Sequence, residues 1–239
     1  MDREIHTFAN GIRVFKDRLI DVQIARYAHC NIHEPVEEKW FEQLCKPSAG
    51  SDSFSFVDIG AAVGYYAVLV KKLRPNAAVI CVEPLSANSS AIREHLLLNG
   101  IESDDVTILE MAVSDRKGYA TLLSNNYSSY LIDDTVAGSR DNAVTVSVDT
   151  LAELIRARVG QVDLVKVDVQ GEEVKVLDGA AAISSNIKAW IVGTHSEELH
   201  AACIKKLLNL GYSMLFEDQH PPGQPDGIVV ASRAPDVLV

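Results

Sequence analysis

The sequence predicts an α/β fold: a seven-stranded, mostly parallel sheet with helices on both faces and a C-terminal antiparallel hairpin. Three observations carry this. From residue 54 onward, short apolar runs of strand type alternate with helical stretches. The segment FVDIGAAVGYYA, residues 56–67, joins a strand to a helix through a glycine turn. The last two strand-like runs follow one another across a short loop with no helix between them, which makes them a hairpin at the sheet edge.

Phe54–Ile59 is the first strand, and the helix after GAAVG runs to Arg74, where Pro75 stops it. Ala78–Val82 is the second strand, followed by a helix over Ser86–Leu98 with Asn99-Gly100 as its C-terminal cap. Val106–Met111 is the third. Residues 118–148 break the rhythm as a β-rich insertion, with Tyr119–Leu123 and Ala143–Val148 around a polar loop. Thr150 and Glu153 have capping-box spacing and open a helix closed by Gly160. Leu164–Val169 is the fourth core strand, leading to a helix over Glu172–Ile183, and Ala189–Gly193 is the fifth. Glu197–Leu210 is a helix ended by Gly211, and Ser213–Phe216 and Ile228–Ala231 flank the loop HPPGQPDG. Residues 1–53 form an N-terminal extension ending in KPSAGSDS, and 54–239 form the main domain.

With 22 Lys and Arg against 33 Asp and Glu, the formal net charge is −11, which argues against a nucleic-acid partner needing clustered cations. No apolar run is long enough to span a membrane and the N-terminus lacks a signal-peptide stretch, so a cytoplasmic protein is expected. Cys30, Cys45, Cys81 and Cys203 form no CxxC pair, the usage of reduced thiols. No H-x-x-H or E-x-x-H cluster occurs, so no metal site is assigned, although Mg²⁺ held by carboxylates and water stays open. Nothing in the sequence speaks to oligomeric state.

The chemistry concentrates at predicted strand ends. Gly60 and Gly64 open a helix whose free N–H groups suit a carboxylate or phosphate, and Gly60 lets backbone approach a ligand. The spacing G-A-A-V-G departs from the dinucleotide fingerprint, and Asp58 before it suits an ammonium group rather than a pyrophosphate. A zwitterionic methionyl group, as in S-adenosylmethionine, fits. Glu83 ends the second strand 19 positions after Gly64, placed to accept both ribose hydroxyls. In ILEMAVSD, residues 108–115, Glu110 and Met111 are candidates for the adenine edge and ring face, and Ala61 and Ala112 complete the expected cofactor wall. Asp168 and His195 stand at the ends of the fourth and fifth strands, as candidates for orienting the acceptor and removing its proton. Lys166, inside an apolar run, needs a partner.

These segments, together with SVDTLAEL and above all VDLVKVDVQGEEVKVLDGA (162–180), resemble the FkbM-like methyltransferases over about residues 54–231. The resemblance implies a class I Rossmann-like fold and S-adenosylmethionine as methyl donor, with S-adenosylhomocysteine as product. It also implies O-methylation of a small molecule such as a sugar, polyketide or other secondary metabolite. The family's D-x-E-G-x-E pattern matches at Asp168, Gly171 and Glu173 and departs at Gln170, where a charge is lost. The extension is expected to cover cofactor or substrate, which makes Arg26, His33 and Glu34 substrate-side candidates, with Glu173 and, from the loop NNYSSYLIDD (125–134), Tyr130. A small-molecule N-methyltransferase and a catalytically silent cofactor-binding module are the competing readings.

Overall fold

The computed structural model describes residues 3–46, 53–123, 130–132 and 142–233. A hairpin of β1 (Ile5–Thr7) and β2 (Arg13–Phe15) precedes helices α1 (Asp21–His29) and α2 (Pro35–Leu44). Then follow β3 (Ser55–Ile59), α3 (Tyr65–Leu73), β4 (Ala78–Val82), α4 (Ser86–Leu98) and β5 (Val106–Leu109). The insertion holds β6 (Ala112–Ser114), β7 (Gly118–Leu123), β8 (Tyr130–Ile132) and β9 (Ala143–Thr150). The remainder is α5 (Leu151–Arg158), β10 (Val162–Val167), α6 (Glu173–Ala180), β11 (Ile187–Thr194), α7 (Glu197–Asn209), β12 (Ser213–Asp218) and β13 (Gly227–Ser232).

The main sheet has seven strands in the order β12-β13-β11-β10-β3-β4-β5. Six run in one direction, and β13, between β11 and β12, runs antiparallel to both, as the uninterrupted last pair predicts. Strand order reverses between β10 and β3, so a crevice opens at their carboxyl ends. The expected third strand, Val106–Met111, ends two residues early, at Leu109. Its hydrogen bonding to β4 ends at Leu109, and Ala112–Ser114 leaves to pair with β9 in a second sheet of order β6-β9-β7-β8. Thr150 caps α5 by accepting from the Glu153 backbone N–H at 3.3 Å, as its spacing predicts.

Side-chain alternation sets what each face of the sheet meets. Val57, Ile59, Val165 and Val167 face the layer of α5, α6 and α7. Phe56 and Leu164 face the opposite layer, where α3 and α4 lie. The extension belongs to that second core: Phe8, Ile12, Tyr27 and fully buried Phe41 share it, and the Phe41 ring lies 5.1 Å from that of Phe56. By the same alternation, Asp58 and Lys166, paired in register, stand on the face that α2 covers. Of the loop predicted at 46–53, residues 47–52 lie outside the described residues.

Candidate active site

A cavity of about 540 Å³ opens at the strand-order reversal. One end is built by the ends of β3, β4 and β5. Gly60 takes a left-handed φ of 80° and Gly64, capping α3, one of 82°. The requirement at Gly60 differs from the expected one: a Cβ there would run into the backbone carbonyl of Asp168, so the glycine serves the close approach of β3 and β10. Ala62, also left-handed at 47°, donates its N–H to Glu83 at 2.9 Å. Glu83 further accepts from Leu85 N at 3.0 Å and Asn88 Nδ2 at 3.2 Å. Three of roughly four acceptor positions of the carboxylate are thus used within the protein. For Glu83 to grip both ribose hydroxyls, the Asn88 side chain must yield.

Asp58 is 1% exposed, lines the cavity, and its Oδ1 has no hydrogen-bond partner. Burial pushes its pKa up to about 7 even though Lys166 pulls the other way, and burial likewise raises Glu83 to about 7. A buried carboxylate at the cavity wall with an unused acceptor oxygen suits a cationic ligand group. Ala61, Met111 and Ala112 line this end as expected. Glu110 does not; it accepts from Ser86 Oγ at 3.0 Å and faces Arg93 at 3.8 Å, with its side chain 44% exposed. Its position just after the end of β5 turns it outward.

The other end is assembled from three distant segments. Lys166, 2% exposed, pairs with Asp168 Oδ2 and Glu37 Oε1, each at 3.2 Å, and lies 4.7 Å from the centre of the Tyr66 ring. Burial works against the Lys166 charge, but Asp168, Glu37 and Glu34 outweigh it and hold its pKa well up. In turn Lys166 and His195 keep Asp168 below the usual carboxylate range despite burial. The extension brings Arg26, His33 and Glu34 to the wall, as expected. Burial holds His33 neutral, down to about 3, and Tyr66 donates to Glu34 at 2.9 Å.

His195 stands beside the wall rather than on it. Asp168, Gln170 and Asp226 line the cavity, and the imidazole lies against them with Nε2 3.5 Å from Oδ1 of each aspartate. Nδ1 bonds to Glu173, which is fully buried and does not line the cavity. Glu173 is therefore a holder of His195 and not a substrate contact. Burial disfavours the charged ring, but the Glu173 bond and then Asp168 and Asp226 raise its pKa to about 9. In this environment the ring holds its proton at neutral pH, so it is not the free imidazole of the sequence reading.

Asp226 and Gln224 escaped the sequence reading. Because β13 is antiparallel to β11, Gly227 pairs with Thr194, and the hairpin loop arrives at the carboxyl edge beside His195. Gln224 Oε1 accepts from Val36 N and Glu37 N, both at 3.1 Å, so the loop caps α2. Only the topology exposes this; a lone Asp in a Pro-rich loop carries no local mark. Leu122 and Leu131 from the insertion line the cavity, while most of the predicted loop, residues 125–129 and 133–134, lies outside the described residues. Tyr130 is described by its backbone, which pairs with Leu123.

Comparison with known proteins agrees with this architecture. A protein of Jannaschia sp. (strain CCS1), described as a methyltransferase, is 24% identical over 204 residues, 77% of this chain and 71% of its own. The crystal structure of methyltransferase FkbM from Methylobacillus flagellatus KT superposes with a TM-score of 0.58 at 16% identity, over 90% of this chain but only 56% of that longer one. The ribosomal protein L11 methylase of Lactobacillus delbrueckii subsp. bulgaricus gives 0.51 at 12% identity, over 84% and 80% of the two chains. The fold is that of class I methyltransferases with a Rossmann-like sheet. Such likeness spans different acceptors and does not choose among them. The methyltransferase FkbM domain matches residues 58–214, and the chain belongs to that family.

Proposed function

We propose that the cavity binds S-adenosylmethionine and directs its methyl group to a hydroxyl of a small molecule. The observation that carries the cofactor is Asp58, a buried carboxylate with one unpartnered oxygen near the end of the central strand, lining the same cavity as Glu83 and Met111. Asp58 would take the ammonium group, Glu83 the ribose, and Met111 and Ala112 the adenine side. When bound, S-adenosylmethionine supplies a methyl activated by its sulfonium. The chain's own task is to align an acceptor and give its proton a destination. Lys166 fixes Asp168 through Oδ2, and Asp168 and Asp226 offer carboxylates at the acceptor end. The same carboxylates would attract an amine, which keeps N-methylation as the second reading. A wall of carboxylates repels phosphates and supports a small-molecule acceptor over a nucleic acid.

The test is label transfer from methyl-tritiated S-adenosylmethionine to a panel of glycosides, phenols, polyols and amines. Label in a hydroxyl class supports the reading, label in amines alone moves it to N-methylation, and cofactor binding without transfer to any acceptor points to a silent module. Two further results are expected by calorimetry. Glu83→Ala weakens S-adenosylhomocysteine binding by about 1–3 kcal/mol, the range for charged hydrogen bonds. Affinity also depends on pH. The raised carboxyls of Asp58 and Glu83, each at about 7, are half protonated in the free protein at neutrality, whereas the ligand's ammonium favours the ionised form. Affinity therefore climbs as pH rises through 7 and declines below it. The free protein moves oppositely: carboxyls raised by folding cost stability as pH rises toward that value, so the ligand's thermal stabilisation grows above it.

A further inference from the structure

Asp168, His195 and Asp226 come from the end of β10, the end of β11 and the β12–β13 loop, and their ligand atoms all lie within 4.8 Å of one another. They are the one group of three or more such side chains with that spacing among the described residues. We propose that these three side chains form a divalent-cation site at the acceptor end of the cavity. The geometry suits one ion. Donors about 2.1 Å from a metal and at tetrahedral angles to one another stand roughly 3.5 Å apart, and Nε2 of His195 is 3.5 Å from Oδ1 of each aspartate.

The orientation of the ring supports the assignment independently of the two aspartates. Metal-ligating histidines characteristically bond their second nitrogen to a carboxylate, which fixes the ring and raises its donor strength. Here Nδ1 bonds to Glu173, a fully buried residue whose other oxygen, Oε2, has no partner. That carboxylate faces neither solvent nor the cavity; the oxygen that holds the ring also accepts from the Gly171 backbone N–H at 3.2 Å, which fixes it in place. Nε2 points to Asp168 and Asp226, with the Gln170 amide beside it. The Gln170 side-chain amide lies 2.6 Å from Nε2, and because its oxygen and nitrogen exchange on rotation it offers a fourth, neutral donor. Asp168 spends Oδ2 on Lys166 and keeps Oδ1 for the site.

The donor set, one imidazole with two carboxylates and an amide, suits Mn²⁺, Fe²⁺, Zn²⁺ or Mg²⁺ and not a thiolate-seeking ion. Asp168, Asp226 and Gln170 line the cavity, so the ion's open positions face the place where the acceptor would sit. The inference does not depend on the methyl-transfer reading, since the cation can be titrated without cofactor or acceptor.

The experiment uses the full chain, freed of metals by chelator dialysis and titrated with Mn²⁺ by calorimetry and by paramagnetic resonance of the free ion. The expected result is one Mn²⁺ per chain. Asp226→Asn and His195→Gln should each weaken it tenfold or more, and Glu173→Gln by about 10- to 100-fold, the usual effect of losing a carboxylate behind a ligating histidine. Should His195→Gln or Glu173→Gln fail to fold, Asp226→Asn, on a loop, carries the comparison, with circular dichroism and thermal unfolding as the check on its fold. No Mn²⁺ binding up to millimolar concentration would overturn the proposal and leave His195 paired by its own proton. Binding of equal strength in Asp226→Asn and the parent chain would overturn it as well.

Discussion

Lys166→Met is expected to lower folding stability by about 3–5 kcal/mol, the cost of removing one partner from a buried ion cluster. The side chain of Lys166 is 3% exposed and answers Glu37, equally buried, and Asp168. Asp58 and Glu34 add to the same field, since both raise the lysine's pKa. Methionine fills a similar volume, so the loss is electrostatic and not a cavity. What remains is a set of carboxylates packed between α2 and the sheet with no cation among them. Glu37 already has its pKa pushed up to about 8 by burial, with the lysine in place. Adding Glu37→Gln to Lys166→Met should recover part of the loss, because the two side chains touch and their effects are not additive. Chemical denaturation of the parent chain and the two variants measures this. Equal stability of Lys166→Met and the parent chain would mean that the pair is a surface-like contact and that α2 is held by its apolar face alone.

Gly60→Ala should cost roughly 2–5 kcal/mol and abolish S-adenosylhomocysteine binding, because left-handed strain and a steric clash act together. The φ of 80° disfavours any Cβ, and that Cβ would collide with the Asp168 carbonyl. The two strand ends are held at this point by the Asp168 N–H donating to Ile59 O at 2.9 Å. Relief of the clash must part β3 from β10 or displace Asp168, and either movement deforms both ends of the cavity. Gly100→Ala provides the comparison: its φ is 76°, yet a Cβ there meets nothing within 4 Å. That variant should lose only about 1–2 kcal/mol from backbone strain. Equal losses at the two positions, read by thermal and chemical unfolding, would remove the steric argument at Gly60.

The parallel sheet, its terminal hairpin and the strand-end carboxylates Asp58, Glu83 and Asp168 were legible because they depend on local pattern: apolar runs, a glycine turn, and acids that interrupt apolar segments. What was not legible depends on distant pairing. Glu37 reads as a surface acid of an amphipathic helix until α2 is laid against Lys166. Asp226 becomes part of the cavity only because β13 runs antiparallel to β11. His195 was found by position, but its environment reversed its reading, since the buried Glu173 behind it looks from sequence like an ordinary first-turn helix acid. Glu110 misled in the opposite direction: the strand was expected to run through it to Met111 but ends at Leu109, and the exit of the chain to the second sheet turns the side chain out.

We propose that buried Asp58, with one unpartnered carboxyl oxygen, marks the cavity as a site for S-adenosylmethionine. Calorimetric titration of S-adenosylhomocysteine into the parent chain and into Asp58→Asn tests it most directly, since asparagine keeps the shape and loses the charge. The account predicts one ligand per parent chain and an affinity at least about tenfold weaker in the variant, equivalent to about 1.4 kcal/mol. No binding to the folded parent chain, or the same affinity in a folded Asp58→Asn, would contradict it.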